Sequence, residues 1–213
     1  MKRRVPTILA AFALAFGALQ AGAAPATAKQ AAPGETSLAA VLTSDGNTFD
    51  GNAKDFDIVT EAVLAVVGAK PDSPVGLVAD GTKRLTVFAP TDQAFRLLVK
   101  DLTGQTIRSE KKIFNALVEL AGVDTIETVL LYHVVPGQTL DSGKVLKADG
   151  AKLSTATGQT VKVDVRTHPV RVTLKDKDRN DRDPRAVLSS LDVNKGNKQI
   201  AHGIDRVLRP IDL

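Results

Sequence analysis

The sequence predicts an α+β fold in which helices come first and a largely antiparallel sheet follows. Three observations carry that prediction. Up to about residue 133 apolar residues recur with the helical period, and from Thr160 onward they alternate with period two. The composition, 213 residues at 43% hydrophobic and 24% charged with no Cys and no Trp, suits one sizeable core held by packing alone. The missing thiols exclude disulfide scaffolds, thiolate metal sites and Cys nucleophiles.

Met1-Lys2-Arg3-Arg4, the apolar run Val5 to Leu19 and the small residues Ala21-Gly22-Ala23 predict a secretory signal peptide over 1–23, cleaved near Ala23. Residues 24–36 read as a flexible Ala/Pro-rich leader and 37–213 as one domain. Ile58, Val59, Ala62, Val63, Val66 and Val67 line one helical face, with Asp57 placed to cap its start and Gly68 its end. Leu85 to Ala89 reads as a buried strand after the Asp80-Gly81 turn, and Pro90-Thr91-Asp92 opens a helix through Phe95, Leu98 and Val99. Ile113, Phe114, Leu117, Val118 and Ala121 form another apolar face. Asp124 and Glu127 resemble a capping box for a further helix that ends at Tyr132-His133, before the Pro136-Gly137 turn.

In the second half, Val161, Val163 and Val165 oppose Lys162 and Asp164, and Val170, Val172 and Leu174 oppose Arg171, Thr173 and Lys175, which predicts two half-buried antiparallel strands. Val187 to Val193 and Ile200 to Leu208 are two more strand candidates, with Gly203 marking a bulge in the last.

Charge and motif content exclude most chemistry. Cleavage after Ala23 leaves 25 basic residues against 24 acidic ones, so the formal charge falls from +4 to +1 and no basic face for nucleic acid is expected. No second long apolar run exists to span a membrane. His133, His168 and His202 lack metal-ligand spacing, and no G-x-S-x-G elbow or phosphate loop is present. No enzyme, metal or cofactor is expected. Asp176-x-Asp178-x-Asn180 begins like a calcium loop, but Asp181 stands where the turn needs Gly and Val187 where a Glu belongs, so it reads as a solvated hairpin tip. The stretch from Arg166 to Arg185 holds seven Lys or Arg against four Asp, a projection able to meet anionic polymers.

Three segments, TVFAPTDQAF at Thr86 to Phe95, LLYHVVPG at Leu130 to Gly137 and HGIDRVLRP at His202 to Pro210, resemble in order and separation the signature blocks of fasciclin domains. Phe56-Asp57-Ile58-Val59 fits as well. The resemblance implies a β-sheet wedge packed against a helical layer, in a secreted, non-enzymatic protein of cell-surface or matrix adhesion whose partner is an extracellular protein or matrix polymer. Tyr132-His133 and Asp192-Val193 resemble residue pairs linked to receptor binding in some members, which makes them the candidate interaction residues. Thr91, Asp92, His202 and Asp205 belong to the family blocks and are expected to serve caps and packing. Lys198-Gln199 stands where an Asn-Gly is usual, and Ala201 and Gly203 flank His202 in place of bulky aliphatics. An alternative role, which some relatives fill, is carriage of an apolar small molecule such as a carotenoid or lipid in a gap between helices and sheet.

Overall fold

A computed structural model describes residues 34–211, so the predicted signal peptide and all of the leader before residue 34 lie outside the described residues. α1 (Leu38–Leu42) is capped by Ser37, whose Oγ accepts the Ala40 N–H. α2 (Asp57–Ala69) buries Ile58, Val59, Ala62 and Val66, the stripe that helical spacing foresees, and a 3-10 turn follows at Pro74–Ala79. β1 (Leu85–Pro90) is almost wholly buried and passes at once into α3 (Asp92–Thr103). Then come α4 (Glu110–Tyr132), β2 (Val134–Pro136) and α5 (Ser142–Leu146). The last part holds β3 (Lys152–Ser154), β4 (Thr160–Thr167), β5 (Val170–Lys175) and β6 (Gln199–Ile204).

The strands form two three-stranded sheets. β3-β4-β5 is antiparallel, while β2-β1-β6 is mixed: β1 runs antiparallel to β2 and parallel to β6, from Leu85 opposite Gln199 to Pro90 opposite Ile204. Every residue of β6 is buried, as expected of a strand covered on both faces. Isolated bridges from Ala186 and Val193 cover its other edge. One apolar core lies among α2, α3 and α4, with Phe95, Val99, Ile113 and Leu117 at its centre. A second lies between the sheets, where Phe88 and Val135 meet Val161, Val163, Val172 and Leu174.

The two helices foreseen around residues 113–133 are present, joined within α4 across a kink at Gly122, whose non-helical φ of 69° is open to Gly at little cost. Three local expectations are corrected. Asp124 and Glu127 form no capping box; both carboxylates hold Lys70, and Glu127 also accepts the Ser73 hydroxyl. Val187 to Val193 is a 3-10 turn at Leu188–Ser190 rather than a strand, because Leu188 points to solvent and Asp192 turns the chain at φ 58°. Gly203 makes no bulge. It keeps strand geometry, and a Cβ there would lie 2.7 Å from Ser190 Cβ and 3.3 Å from the Phe56 ring. Residues just before Ser37 also join the domain: Gly34 O accepts the Lys198 N–H, Thr36 N–H donates to Asn197 Oδ1, and Glu35 pairs with Lys198 Nζ at 2.7 Å.

Gly203→Ala must push the 188–190 turn off β6 and is expected to cost about 1–3 kcal/mol, the usual range for overpacking. Chemical denaturation checks this; a variant within a few tenths of a kcal/mol of the parent would show that the turn yields freely.

Candidate functional site

The Tyr-His pair sits where α4 runs into β2. Tyr132 is fully buried, its hydroxyl donates to Thr160 O at 3.3 Å, and burial pushes the phenol up to about 12. His133 is the C-cap of α4. Its Nδ1–H donates to Val129 O at 2.7 Å, and Nε2 accepts the Leu208 N–H at 2.9 Å. Those partners require the neutral Nδ1–H tautomer. Burial holds this imidazole down at about 4, against a smaller upward pull from the Val129 carbonyl. Both side chains are spent on tying helix, sheet and C-terminal segment together.

Asp192 and Val193 lie at another junction. Asp192 N–H donates to His202 Nδ1 at 3.2 Å, and the Asp192 carboxylate accepts Ser142 N–H at 2.7 Å, Ser142 Oγ at 2.8 Å and Lys195 Nζ at 2.8 Å. Burial pushes that carboxyl up, but these donors outweigh it and hold it down at about 2. Val193 bridges to Ala201 on β6. His202 completes the junction: Nε2–H donates to Leu140 O at 2.7 Å, and the ring lies 6.0 Å from Phe88. Burial lowers its pKa. None of the hydrogen bonds of Tyr132 and His133 reaches Asp192 or Val193.

Of the other block residues, Thr91 donates its N–H to Ile204 O at 3.1 Å, closing the end of the β1–β6 pair. Asp92 begins α3 but serves α2: its Oδ1 accepts the Ile58 N–H at 3.0 Å. Asp205 Oδ1 accepts the Arg185 N–H at 2.7 Å and Oδ2 pairs with Arg182. Two residues outside the sequence-predicted site residues matter as much. Gln199 is fully buried; Oε1 accepts Leu38 N–H at 2.8 Å, and Nε2 donates to Leu77 O and Asp80 O at 2.8 and 2.7 Å. Its signal in the sequence was an amide opening an apolar strand.

Arg209 is the second. The segment expected to be a solvated tip is instead an ion-pair nest: Arg209 meets Asp178 at 2.8 Å and Asp101 at 2.9 Å, its N–H meets Asp176 at 2.7 Å, and Arg206 meets Asp181 at 3.1 Å. Asp178 is 5% exposed and Arg209 7%. The acids that suggested a calcium loop hold a guanidinium, whose planar fork matches them.

Two surfaces remain open. An apolar groove of about 650 Å³ runs between α3, α4 and the C-terminal segment, lined by Phe95, Leu98, Phe114, Leu117, Val129 and Val207. Leu102, Leu120 and Ile211, 45%, 56% and 57% exposed, stand on its lining. The other surface is the outer face of β3-β4-β5. Register sets Lys152, Lys162 and Lys175 in one cross-strand row and Arg166 opposite Arg171 in another, with Asp164 opposite Thr173 between them. Asp164 pairs with Lys175 at 3.3 Å, which leaves the face strongly basic. Adjacent like charges repel, so a sheet bearing such rows gains from an anion laid across them. Among the described residues, the groups of side chains able to hold a metal ion are carboxylates, with no histidine among them. No helix among the described residues is long and apolar enough to cross a membrane.

His133 gives a pH prediction. Its folded pKa lies below the ordinary 6.5, so its contribution is complete above 6.5 and is lost as pH falls through 6.5 toward about 4, up to about 3 kcal/mol. His133→Asn, which keeps a donor but takes up no proton, is expected to lose that part of the acid slope in denaturant titrations at stepped pH. An unchanged slope would contradict it.

No curated protein matches the chain. A solved structure that it resembles is that of a FAS1 domain pair from the insect cell adhesion molecule fasciclin I, at 18% identity and a TM-score of 0.49, covering 71% of this chain. The match spans 46% of that longer chain. The family model of the Fasciclin domain matches residues 73–210, from the 3-10 turn through the Arg209 nest, and the chain belongs to the fasciclin domain family.

Proposed function

We propose that this protein is an exported, non-enzymatic contact module that binds an anionic matrix polymer through the outer face of β3-β4-β5. The observation that carries the proposal is the cross-strand row Lys152, Lys162 and Lys175 with the Arg166–Arg171 pair beyond it. Family membership favours adhesion and interaction over catalysis, and the block histidines are committed to backbone partners rather than poised beside a nucleophile. The signal peptide read over 1–23 and the single domain read over 37–213 belong to this proposal, since a matrix polymer is met only after export. Receptor contact through Tyr132, His133, Asp192 and Val193 is the less favoured form, because the first two are buried and the third is held by three donors.

On an immobilised sulfated polysaccharide the protein is expected to bind at low salt and to weaken about tenfold or more as salt rises from about 50 to 200 mM. Lys152→Ser/Lys162→Ser/Lys175→Ser should elute earlier with unchanged stability. Equal retention of parent and triple variant would remove the proposal.

The apolar groove supports a second reading, carriage of an apolar small molecule, because its volume and lining suit a ligand of drug or lipid size. Protein purified from its native source is then expected to release a stoichiometric apolar compound into organic solvent. A colourless extract with no such compound by mass analysis would exclude it.

A further inference from the structure

The basic face of β3-β4-β5 is not evenly charged, and its pattern follows from strand period and register. Lys162, Asp164 and Arg166 stand in line along the outside of β4, while Val161 and Val163 on the opposite face fill the core between the sheets. Cross-strand partners share a face, which sets Lys152 and Lys175 beside Lys162, Thr173 beside Asp164, and Arg171 beside Arg166. An isolated bridge from Thr173 to Arg185 extends the middle row by one residue.

Pairing inside the face divides it into two ends and a middle. Asp164 Oδ2 meets Lys175 Nζ at 3.3 Å, and both side chains remain partly exposed, at 38% and 48%. Asp183 lies in the same field: burial raises its carboxyl first, Lys175 and Arg185 draw it down, and Asp164 pushes it up. The middle therefore sets Asp164 and Asp183 against Lys175 and Arg185 and is close to neutral. Among the described residues no acid pairs with Lys152 or Lys162 at one end, or with Arg166 or Arg171 at the other. Lys162 and Arg166 are four residues apart, about 13 Å along an extended strand.

We propose that this face reads the spacing of charge: Lys152 with Lys162 and Arg166 with Arg171 are two anion subsites, and Asp164 between them admits a neutral, hydroxyl-bearing unit and turns away a third anion. The inference rests on the matrix-polymer reading above and narrows its ligand to an acidic polysaccharide whose charges are separated by neutral sugars. A sugar hydroxyl donates to the Asp164 carboxylate, whereas an ionised phosphate or sulfate offers it only acceptors. The guanidinium forks of Arg166 and Arg171 suit a planar carboxylate at their end, and the ammonium groups of Lys152 and Lys162 act as point charges at the other. Nucleic acid, with a phosphate about every 3.4 Å per strand of a duplex, cannot span both subsites without laying charge over Asp164, and polyphosphate is as dense. Asp164 is thereby the residue that sets specificity on the face.

The probes are unsulfated chondroitin, which carries a single carboxylate per disaccharide, and inorganic polyphosphate, each titrated against the mature protein at about 50 mM salt. Asp164→Asn is expected to shift the ratio of the two affinities about tenfold toward polyphosphate, because it removes a like-charge juxtaposition that only the dense polymer suffers. Lys152→Ser/Lys162→Ser and Arg166→Ser/Arg171→Ser should each weaken chondroitin binding about tenfold or more, as both ends are engaged at once. Lys111→Ser/Lys112→Ser, on the exposed start of α4, should bind as the parent does. Melting temperatures close to the parent's show that the surface changes leave the fold intact. A ratio unmoved by Asp164→Asn, chondroitin binding indifferent to the loss of either end, or a parent that binds polyphosphate alone would overturn the spacing proposal and leave a general polyanion contact standing. A parent that binds neither polymer would remove the matrix-polymer reading and this inference with it.

Discussion

The parallel pairing of β1 with β6 is the constraint around which the fold is arranged. Parallel neighbours admit no hairpin, so the chain between them must make a crossover. Here that crossover is everything from α3 through β5. Closing so long a loop costs entropy before the pair repays it, and the pair is therefore fastened along its length. Gln199 anchors its start, His202 its middle and Thr91 its end. Each of these polar groups is buried and hydrogen-bonded, which makes it expensive to disturb and hard to accommodate in another register.

That constraint gathers the family blocks around one sheet. TVFAPTDQAF is β1 and the start of α3, LLYHVVPG is the end of α4 and the strand beside β1, and HGIDRVLRP is β6 and the segment that caps the Tyr-His junction. All three meet at one sheet. His133 reaches from the second block to Leu208 of the third, and Phe88 N–H of the first donates to His133 O. The surfaces proposed to meet a partner are the outer rows of β3-β4-β5, whose inner rows fill the core between the sheets, and the apolar groove beside α4, to which Phe95 and Val207 of the blocks contribute.

The legible parts of the sequence were those where periodicity dominates. α2, β1, α3, β4 and β5 were readable because burial on one face imposes a repeat of 3.6 or 2 residues. Asp124 and Glu127 misled because an acid three residues before another looks the same whether it caps a helix or holds Lys70 from another element. Val187 to Val193 misled because only its two ends meet β6, Val187 N–H on Gly203 O and Val193 bridging to Ala201, with no continuous ladder between them. The Asp176–Asp183 run could not be read because the arginines that fill it arrive from residues 206 and 209.

By itself the sequence determined the order of α2, β1, α3, β4 and β5, the absence of any disulfide and the family, since each follows from local spacing or composition. Only the tertiary structure decided what the singled-out residues do. It placed Tyr132, His133 and His202 inside, set lysines in register across three strands and gave the acidic loop an arginine. The reason is physical: hydrogen-bond partners and like-charge neighbours are properties of residues far apart in the chain, and no local pattern encodes a distance between them.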